Sequence, residues 1–303
     1  MGARKRKKAS GEEPMPREPW SISPTRLRAY ATCPLQYRLR YVEKLPTVYS
    51  PASLVGQAVH SALEGYFLEK RRAGREISSD SAVKAFDDTW SFHLPTGVSS
   101  GVEAAAFDSA YESGRRILQL YLEEVAPRVR PHLVEHRFRF SVPGVKVQVV
   151  GTADLIDQNG VVIDHKTSLA AYPESYPHRD LQLCCYAIGY ATFKAGSRIR
   201  PGQLPALFFV PDVRVDVLVR AEIPFVQQLG HSYDREDLEE FVRRTARIVA
   251  GIEAEEFDAF WKVLGHDPDA RVCSRCSYGQ VCPSSLVCQD LGEHHRQDRD
   301  NEK

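Results

Sequence analysis

The sequence predicts an α/β fold: a mixed central β-sheet flanked by helices, a helical N-terminal region, and a cysteine cluster joining the N- and C-terminal segments. Three observations predict it. Apolar residues recur at helical spacing from Ser23 to Val125, the period falls to two at Leu133, and strand and helix patterns then alternate to Ile252.

Residues 1–20 hold the basic run Arg4–Lys8 among Pro and Glu and read as a disordered basic leader. Ser23 is an N-cap with Pro24 at the first helical position, and Leu27, Tyr30, Ala31 and Leu35 follow at helical spacing. Further helices are expected over Leu54–Lys70, Ala82–Phe92 and Glu103–Val125. From Leu133, Val134, His136, Phe138 and Phe140 alternate with Glu135, Arg137 and Arg139, which is a strand. A Pro143-Gly144 turn leads to a second strand, Val145–Ile156, and Asn159-Gly160 signals a hairpin to a third, Val161–Lys166. A helix over Leu181–Phe193 precedes strands at Leu204–Val210 and Val213–Ile223, separated by a Pro211-Asp212 turn, and an amphipathic helix covers Arg235–Ile252. The expected organisation is a leader (1–20), a single domain (21–286) and a charged tail (287–303). Within the domain lie a helical part (21–130), a core (131–225), and C-terminal helices with the cysteine cluster (226–286).

Composition narrows the class. With 303 residues, 43% hydrophobic and 26% charged, the chain is globular rather than fibrous or disordered. Forty basic and forty acidic side chains cancel, so overall charge neither favours nor excludes nucleic acid. No apolar run is long enough for a bilayer and no signal-peptide core opens the chain, so a soluble, intracellular protein without a membrane partner is expected, cytoplasmic if prokaryotic. Seven cysteines in such a chain point to metal binding rather than disulfides.

The chemistry concentrates in one hairpin. Asp164 and Lys166 lie two residues apart on one strand and share a face, and Asp154 lies on the preceding strand. A two-residue Asn159-Gly160 loop would pair Asp154 with His165. A three-residue Gln158-Asn159-Gly160 loop, with Gly160 left-handed, would pair it with Asp164. Only the second register sets the carboxylates side by side, where their repulsion invites a divalent cation such as Mg²⁺ or Mn²⁺. A lone Asp-x-Lys is more often a surface salt bridge. With a two-residue Pro143-Gly144 turn Glu135 pairs with Thr152 and shares a face with Asp154, but Arg137 and Arg139 share that face as salt-bridge partners. His60, alone on an apolar helix, would usually be a core histidine. Gln182 and Tyr186 stand one helical turn apart. Cys273-x-x-Cys276-x5-Cys282 has metal-ligand spacing but only three thiolates; Cys33 is the economical fourth ligand and Cys288 its rival, while Cys184 and Cys185 read as small core residues.

Taken in order, Gly56-Gln-Ala-Val-His60, Gly151-Thr-Ala-Asp154, Asp164-His165-Lys166 and Gln182-Leu-Cys-Cys-Tyr186 resemble the motifs of the PD-(D/E)xK nuclease superfamily, in its RecB-like branch. The resemblance implies a restriction-endonuclease-like core and a Mg²⁺- or Mn²⁺-dependent deoxyribonuclease. Asp154, Asp164 and Lys166 would be catalytic, and His60, Asp154, Asp164, the His165 backbone carbonyl and Glu135 would be metal ligands. Gln182 and Tyr186 would contact DNA and organise the site. One cysteine before the core and three after it is the arrangement of iron–sulfur nucleases such as AddB, CRISPR-associated RecB-like exonucleases and the exonuclease V type. It implies a [4Fe–4S] cluster on Cys33, Cys273, Cys276 and Cys282, with zinc as the alternative. The implied activity is an exonuclease on single-stranded DNA ends in repair, recombination or CRISPR adaptation, with a helicase, CRISPR or recombination protein as partner. A catalytically silent DNA-binding or scaffolding subunit and a zinc-stabilised interaction module are the alternatives.

Overall fold

The computed structural model describes residues 20–47, 50–94, 101–196, 210–258, 273, 276–279 and 281–283. The expected leader, residues 204–209 of one expected strand, Cys288 and the tail lie outside them. Among the described residues no helix is long and apolar enough to cross a membrane.

A two-residue strand β1 (Ser21–Ile22) opens the fold and helix α1 (Pro24–Thr32) follows, with the Ser23 hydroxyl accepting from the Arg26 amide as the cap. Short α2 (Pro34–Tyr37) runs into a π-helical turn at Arg38–Val42. Long α3 (Pro51–Ala73) begins with a Ser50–Ser53 capping box and ends at left-handed Gly74, and α4 (Asp80–His93) and α5 (Gly101–Glu124) complete the helical region. The sheet strands are β2 (Pro131–Ser141), β3 (Gln148–Asp157), β4 (Val162–Ser168), β5 (Val213–Val219) and β6 (Phe225–His231). Helices α6 (Tyr176–Arg179) and α7 (Leu181–Ala195) lie between β4 and β5, and α8 (Arg235–Glu253) follows β6.

The six strands form one mixed sheet in the order β1-β3-β4-β5-β6, with β2 paired to β3. Two apolar clusters cover its two faces. One packs α1, α7 and α8 against Val162, Val215 and Val217; the other packs α3, α4 and α5 against Leu155, Ile163 and Leu218.

Two readings of the sequence need correction. The strand expected over Val213–Ile223 ends at Val219, and a separate antiparallel strand, β6, pairs back along it. The expected core boundary at 225 therefore falls at the start of a strand. β6 escapes pattern reading because it is an edge strand in which only Leu229 is buried, leaving no alternation to see. Next, β2 and β3 join through residues 142–147 rather than a two-residue turn, since Ser141 pairs with Gln148. The register moves by two residues. Glu135 keeps its expected face but lies between the pairs Val134–Leu155 and His136–Ala153, across from Asp154 rather than Thr152.

One flank of β3 is split. β1 pairs with Gln148–Val149, β4 pairs only with Leu155–Ile156, and the stretch between has no strand on that side. The start of α1 fills the opening: a Cβ at Gly151 would come within 2.9 Å of Pro24 and 2.7 Å of the Phe138 ring, so glycine is required there. This opening positions the site.

Candidate active site

The hairpin register meets the chemical demand. Asp157 N–H donates to the Val161 carbonyl, Gly160 has φ +85°, and the pairs Leu155–Ile163 and Ile156–Val162, carried one step further, set Asp154 opposite Asp164. There the strands part. Asp154 replaces the ladder with its side chain: Oδ2 accepts from the His165 amide at 3.1 Å and lies 3.3 Å from His60 Nδ1 on α3.

Asp164 is completely buried. Lys166 Nζ lies 2.9 Å from its Oδ1 and 2.8 Å from its Oδ2, but only Oδ1 has hydrogen-bond geometry, leaving Oδ2 a buried acceptor without an aligned donor. Burial pushes the Asp164 carboxyl up; Lys166 opposes and Asp154 adds, and the result is about 6. Burial lowers and the two aspartates raise the Lys166 ammonium, which ends above its ordinary value. Glu135, in the left-handed region at φ 48°, brings a third carboxylate; burial, Asp154 and then Glu64 push it up to about 7. Asp154, Asp164 and Glu135 thus crowd one opening with Lys166 among them.

Lys166 Nζ also donates to Gln182 Oε1 at 3.3 Å, and Gln182 Nε2 bonds the Tyr186 hydroxyl. Asp180 holds this glutamine in place by capping α7, accepting from the Gln182 and Leu183 amides at 2.7 and 3.1 Å. Arg28 on α1 donates to the same Gln182 oxygen at 3.2 Å.

Behind the site lies a network that pattern reading missed. Buried Asp216 on β5 takes both Arg214 Nε (2.8 Å) and Nη2 (3.0 Å), Gln228 Nε2 (2.9 Å) and the Tyr121 hydroxyl (2.8 Å). Tyr121 lies 3.0 Å from His165 Nε2. Since the only hydroxyl hydrogen goes to Asp216, His165 must donate from Nε2, which fixes its tautomer. Burial drives the imidazole pKa down to about 4, so the ring is neutral. The side chain of His165 thus belongs to the back of the sheet, and its amide to the site. The alternation Val213-Arg-Val-Asp216-Val was the available sequence signal.

These positions meet a family description. The model of the PD-(D/E)XK nuclease superfamily matches residues 21–283. The chain belongs to the PD-(D/E)XK nuclease superfamily. Its members are hydrolases acting on nucleic acids and typically use Mg²⁺ or Mn²⁺. Among solved structures, a candidate exonuclease from Eubacterium rectale is similar at 13% identity and TM-score 0.45, over 84% of this chain and 90% of that one. The protein SSO0001 is similar at 12% identity and TM-score 0.29, over 86% of this chain and 95% of its own. Both likenesses are distant, and the family assignment rests on the superfamily model. No curated protein matches the chain.

A divalent cation suits this superfamily site as folded here: the orphaned Asp164 oxygen, the carboxyls raised by burial and then by neighbouring acids, and the all-oxygen acidic set call for positive charge. Among the described residues, however, no group of three or more His, Cys, Asp or Glu side chains is arranged to hold a metal ion. In the present arrangement Lys166 neutralises Asp164 instead. The same statement covers the cysteines. Cys33, Cys276 and Cys282 pack around Leu35, Leu39 and Tyr278, and the Cys276 amide donates to the Cys273 carbonyl at 3.0 Å. The Tyr278 hydroxyl shares a 2.8 Å hydrogen bond with Thr47, tying this segment to the N-terminal one. Cys184 and Cys185 are core residues whose thiols burial pushes up.

Proposed function

We propose that this superfamily member is a metal-dependent deoxyribonuclease of the RecB-like branch, acting as an exonuclease on single-stranded DNA ends. The observation that carries the reading is the gathering of Asp154, Asp164, Glu135 and Lys166 at the parting of β3 and β4, with one buried Asp164 oxygen lacking a donor. Asp154 and Asp164 would hold Mg²⁺ or Mn²⁺, with His60, Glu135 and the His165 carbonyl as further ligands. Such an ion supplies Lewis-acid polarisation of a phosphodiester and a lowered pKa for bound water.

The chain's own residues do the rest. Lys166 carries a proton and a positive charge to the edge of the carboxylate pair, where it can orient water or stabilise charge growing on phosphate oxygens. Gln182 fixes the direction of the ammonium, and Tyr186 fixes Gln182. Neutral His165 keeps Asp154 in place through its amide while its ring is held from behind. Cys33, Cys273, Cys276 and Cys282 are proposed to hold a [4Fe–4S] cluster that clips the two ends of a single domain; the shared packing of Cys33, Cys276 and Cys282 supports it. A helicase or recombination protein supplying unwound DNA is the partner this activity implies.

Anaerobically purified wild type and Asp164→Ala, assayed on end-labelled single-stranded DNA with Mg²⁺ or Mn²⁺ while iron and zinc are quantified, test the reading. Metal-dependent cleavage by wild type alone is expected, with iron present. Equal cleavage by both proteins, or none by an iron-loaded wild type, sinks the catalytic assignment; zinc in place of iron sinks the cluster.

A further inference from the structure

Around Gln182, which Lys166 and Arg28 share, the structure holds two aromatic rings and an arginine that the proposed hydrolysis does not use. The segment 169–175, between β4 and α6, carries Tyr172, whose ring lies 4.4 Å from that of Tyr176. Both rings are half-buried. The backbone of Tyr172 is gripped at two points by one side chain of the edge strand: its amide donates to Gln227 Oε1 at 2.8 Å, and its carbonyl accepts from Gln227 Nε2 at 3.0 Å. This grip holds the segment without burying the rings fully. Tyr176 is fixed in turn by a 2.7 Å hydrogen bond to Asp180, the cap of the Gln182 helix. The Tyr172 hydroxyl has no partner among the described residues.

Arg28 completes the group. It is solvent-exposed, its one hydrogen bond goes to Gln182, and it has no ion pair among the described residues. A guanidinium carries five donors, so most of the fork is unspent among the described residues. Its own desolvation opposes the charge, and Tyr176, Asp180 and Asp164 outweigh that cost. Burial pushes the Tyr172 hydroxyl up, with Arg28 and then Lys166 opposing. Gln182 Oε1 accepts from both Arg28 and Lys166, and Asp180 joins Tyr176 to the start of the same helix, so the arginine, the lysine and the tyrosine pair are neighbours.

We propose that Tyr172 and Tyr176, with Arg28, form a nucleotide subsite next to the carboxylate cluster: the tyrosine pair stacks an unpaired base, and Arg28 takes a phosphate of the same strand. The inference rests on the nuclease reading and deepens it. A base in a duplex has both faces covered by its neighbours, whereas a base in a single strand or at a frayed end can leave the stack for a tyrosine. The subsite therefore selects for single-stranded character without reading sequence. Gln227 is its positioning residue.

The test uses full-length protein and two oligodeoxythymidine probes of equal length, one intact and one with an abasic position near the cleaved end. Anisotropy with Ca²⁺ gives Kd, and Mg²⁺-dependent cleavage gives KM and kcat. Tyr172→Ala is expected to raise Kd and KM on the order of 10-fold with kcat held within roughly 3-fold, and Tyr172→Phe to retain the wild-type values. Wild type should prefer the intact probe to the abasic one, and Tyr172→Ala should lose that preference. Gln227→Ala, which keeps both tyrosines but releases the grip on the Tyr172 backbone, should give part of the same loss. Arg28→Ala should weaken binding of both probes alike and lower the slope of log Kd against log salt by about one. Circular dichroism melts keep misfolding apart from lost contacts. Equal affinity of wild type for both probes, or an unchanged Kd in folded Tyr172→Ala, overturns the subsite while leaving the nuclease intact. A wild type that neither binds nor cuts either probe overturns the nuclease reading and the subsite with it.

Discussion

Strand β4 presents two faces that treat charge in opposite ways. Toward α1 and α7, Asp164 and Lys166 meet in an opening that also receives Asp154 and Glu135, and one carboxylate oxygen stays without a donor. Toward α3 and α5, His165 and Asp216 sit in a closed network in which both Asp216 oxygens and the histidine Nε2 have partners. Both faces are buried and both carry charge. What separates them is satisfaction: the back face has balanced donors and acceptors and works as structure, while the front face is left short of positive charge. Asp164 is paired in charge by Lys166, but its Oδ2 is a buried acceptor without an aligned donor, which is costly, and on the proposed reading it is the place a cation would take.

That contrast can be broken by experiment. The largest effect should come from the closed face: Asp216→Ala removes the buried acceptor of half-buried Arg214, Tyr121 and Gln228 and is expected to cost about 3–5 kcal/mol in chemical denaturation. An unchanged unfolding midpoint would show that the network carries no structural load. On the open face the loss should fall on rate. Lys166→Ala is expected to lower cleavage by roughly 10²–10³-fold with little change in Tm, and a large drop in Tm would erase the distinction between the faces. Tyr121→Phe removes a single oxygen and leaves the His165 donor without an acceptor, for a cost of about 1–3 kcal/mol. Its cleavage rate should fall less than that of Lys166→Ala; a reversed order would move His165 from support to chemistry. The smallest change is Ser23→Ala, which uncaps α1 for about 1 kcal/mol. It should weaken DNA binding through Arg28 before it affects the hairpin, as salt-dependent anisotropy would reveal.

The same contrast explains what could be read from the amino acids. The open face was partly legible because its signals are local: Asp164 and Lys166 lie two residues apart on one strand, and of the two loops the sequence allowed, the one with Gly160 left-handed is the one formed. Capping at Ser23 and the stripe of α3 were legible for the same reason, since periodicity and caps act within one element. The closed network was not, because Tyr121 lies 44 residues from His165 and 95 from Asp216. No local pattern couples a helix tyrosine to a strand aspartate. Glu135 was placed on the right face but two residues out of register, the cost of assuming the tightest turn at Pro143-Gly144. β6 was missed since an edge strand has one partner and little to bury.

The split flank of β3 has a consequence for lifetimes. The hairpin bearing Asp154, Asp164 and Lys166 is held by β2 along nearly its whole first strand and by β5 along the whole of its second. Arg28 lies on α1, which Leu27 and Tyr30 anchor in the core; the strand before it, Ser21–Ile22, pairs over two residues only, with one more bond from the Gln148 amide to the Trp20 carbonyl at 3.1 Å. Short edge pairings open at far lower free energy than core strands, so amide exchange at Gln148 should outpace that at Ile163 by orders of magnitude. The proposed gripping residue Arg28 and the proposed catalytic carboxylates thus rest on strand pairings of very different length, the shorter one on the side of Arg28.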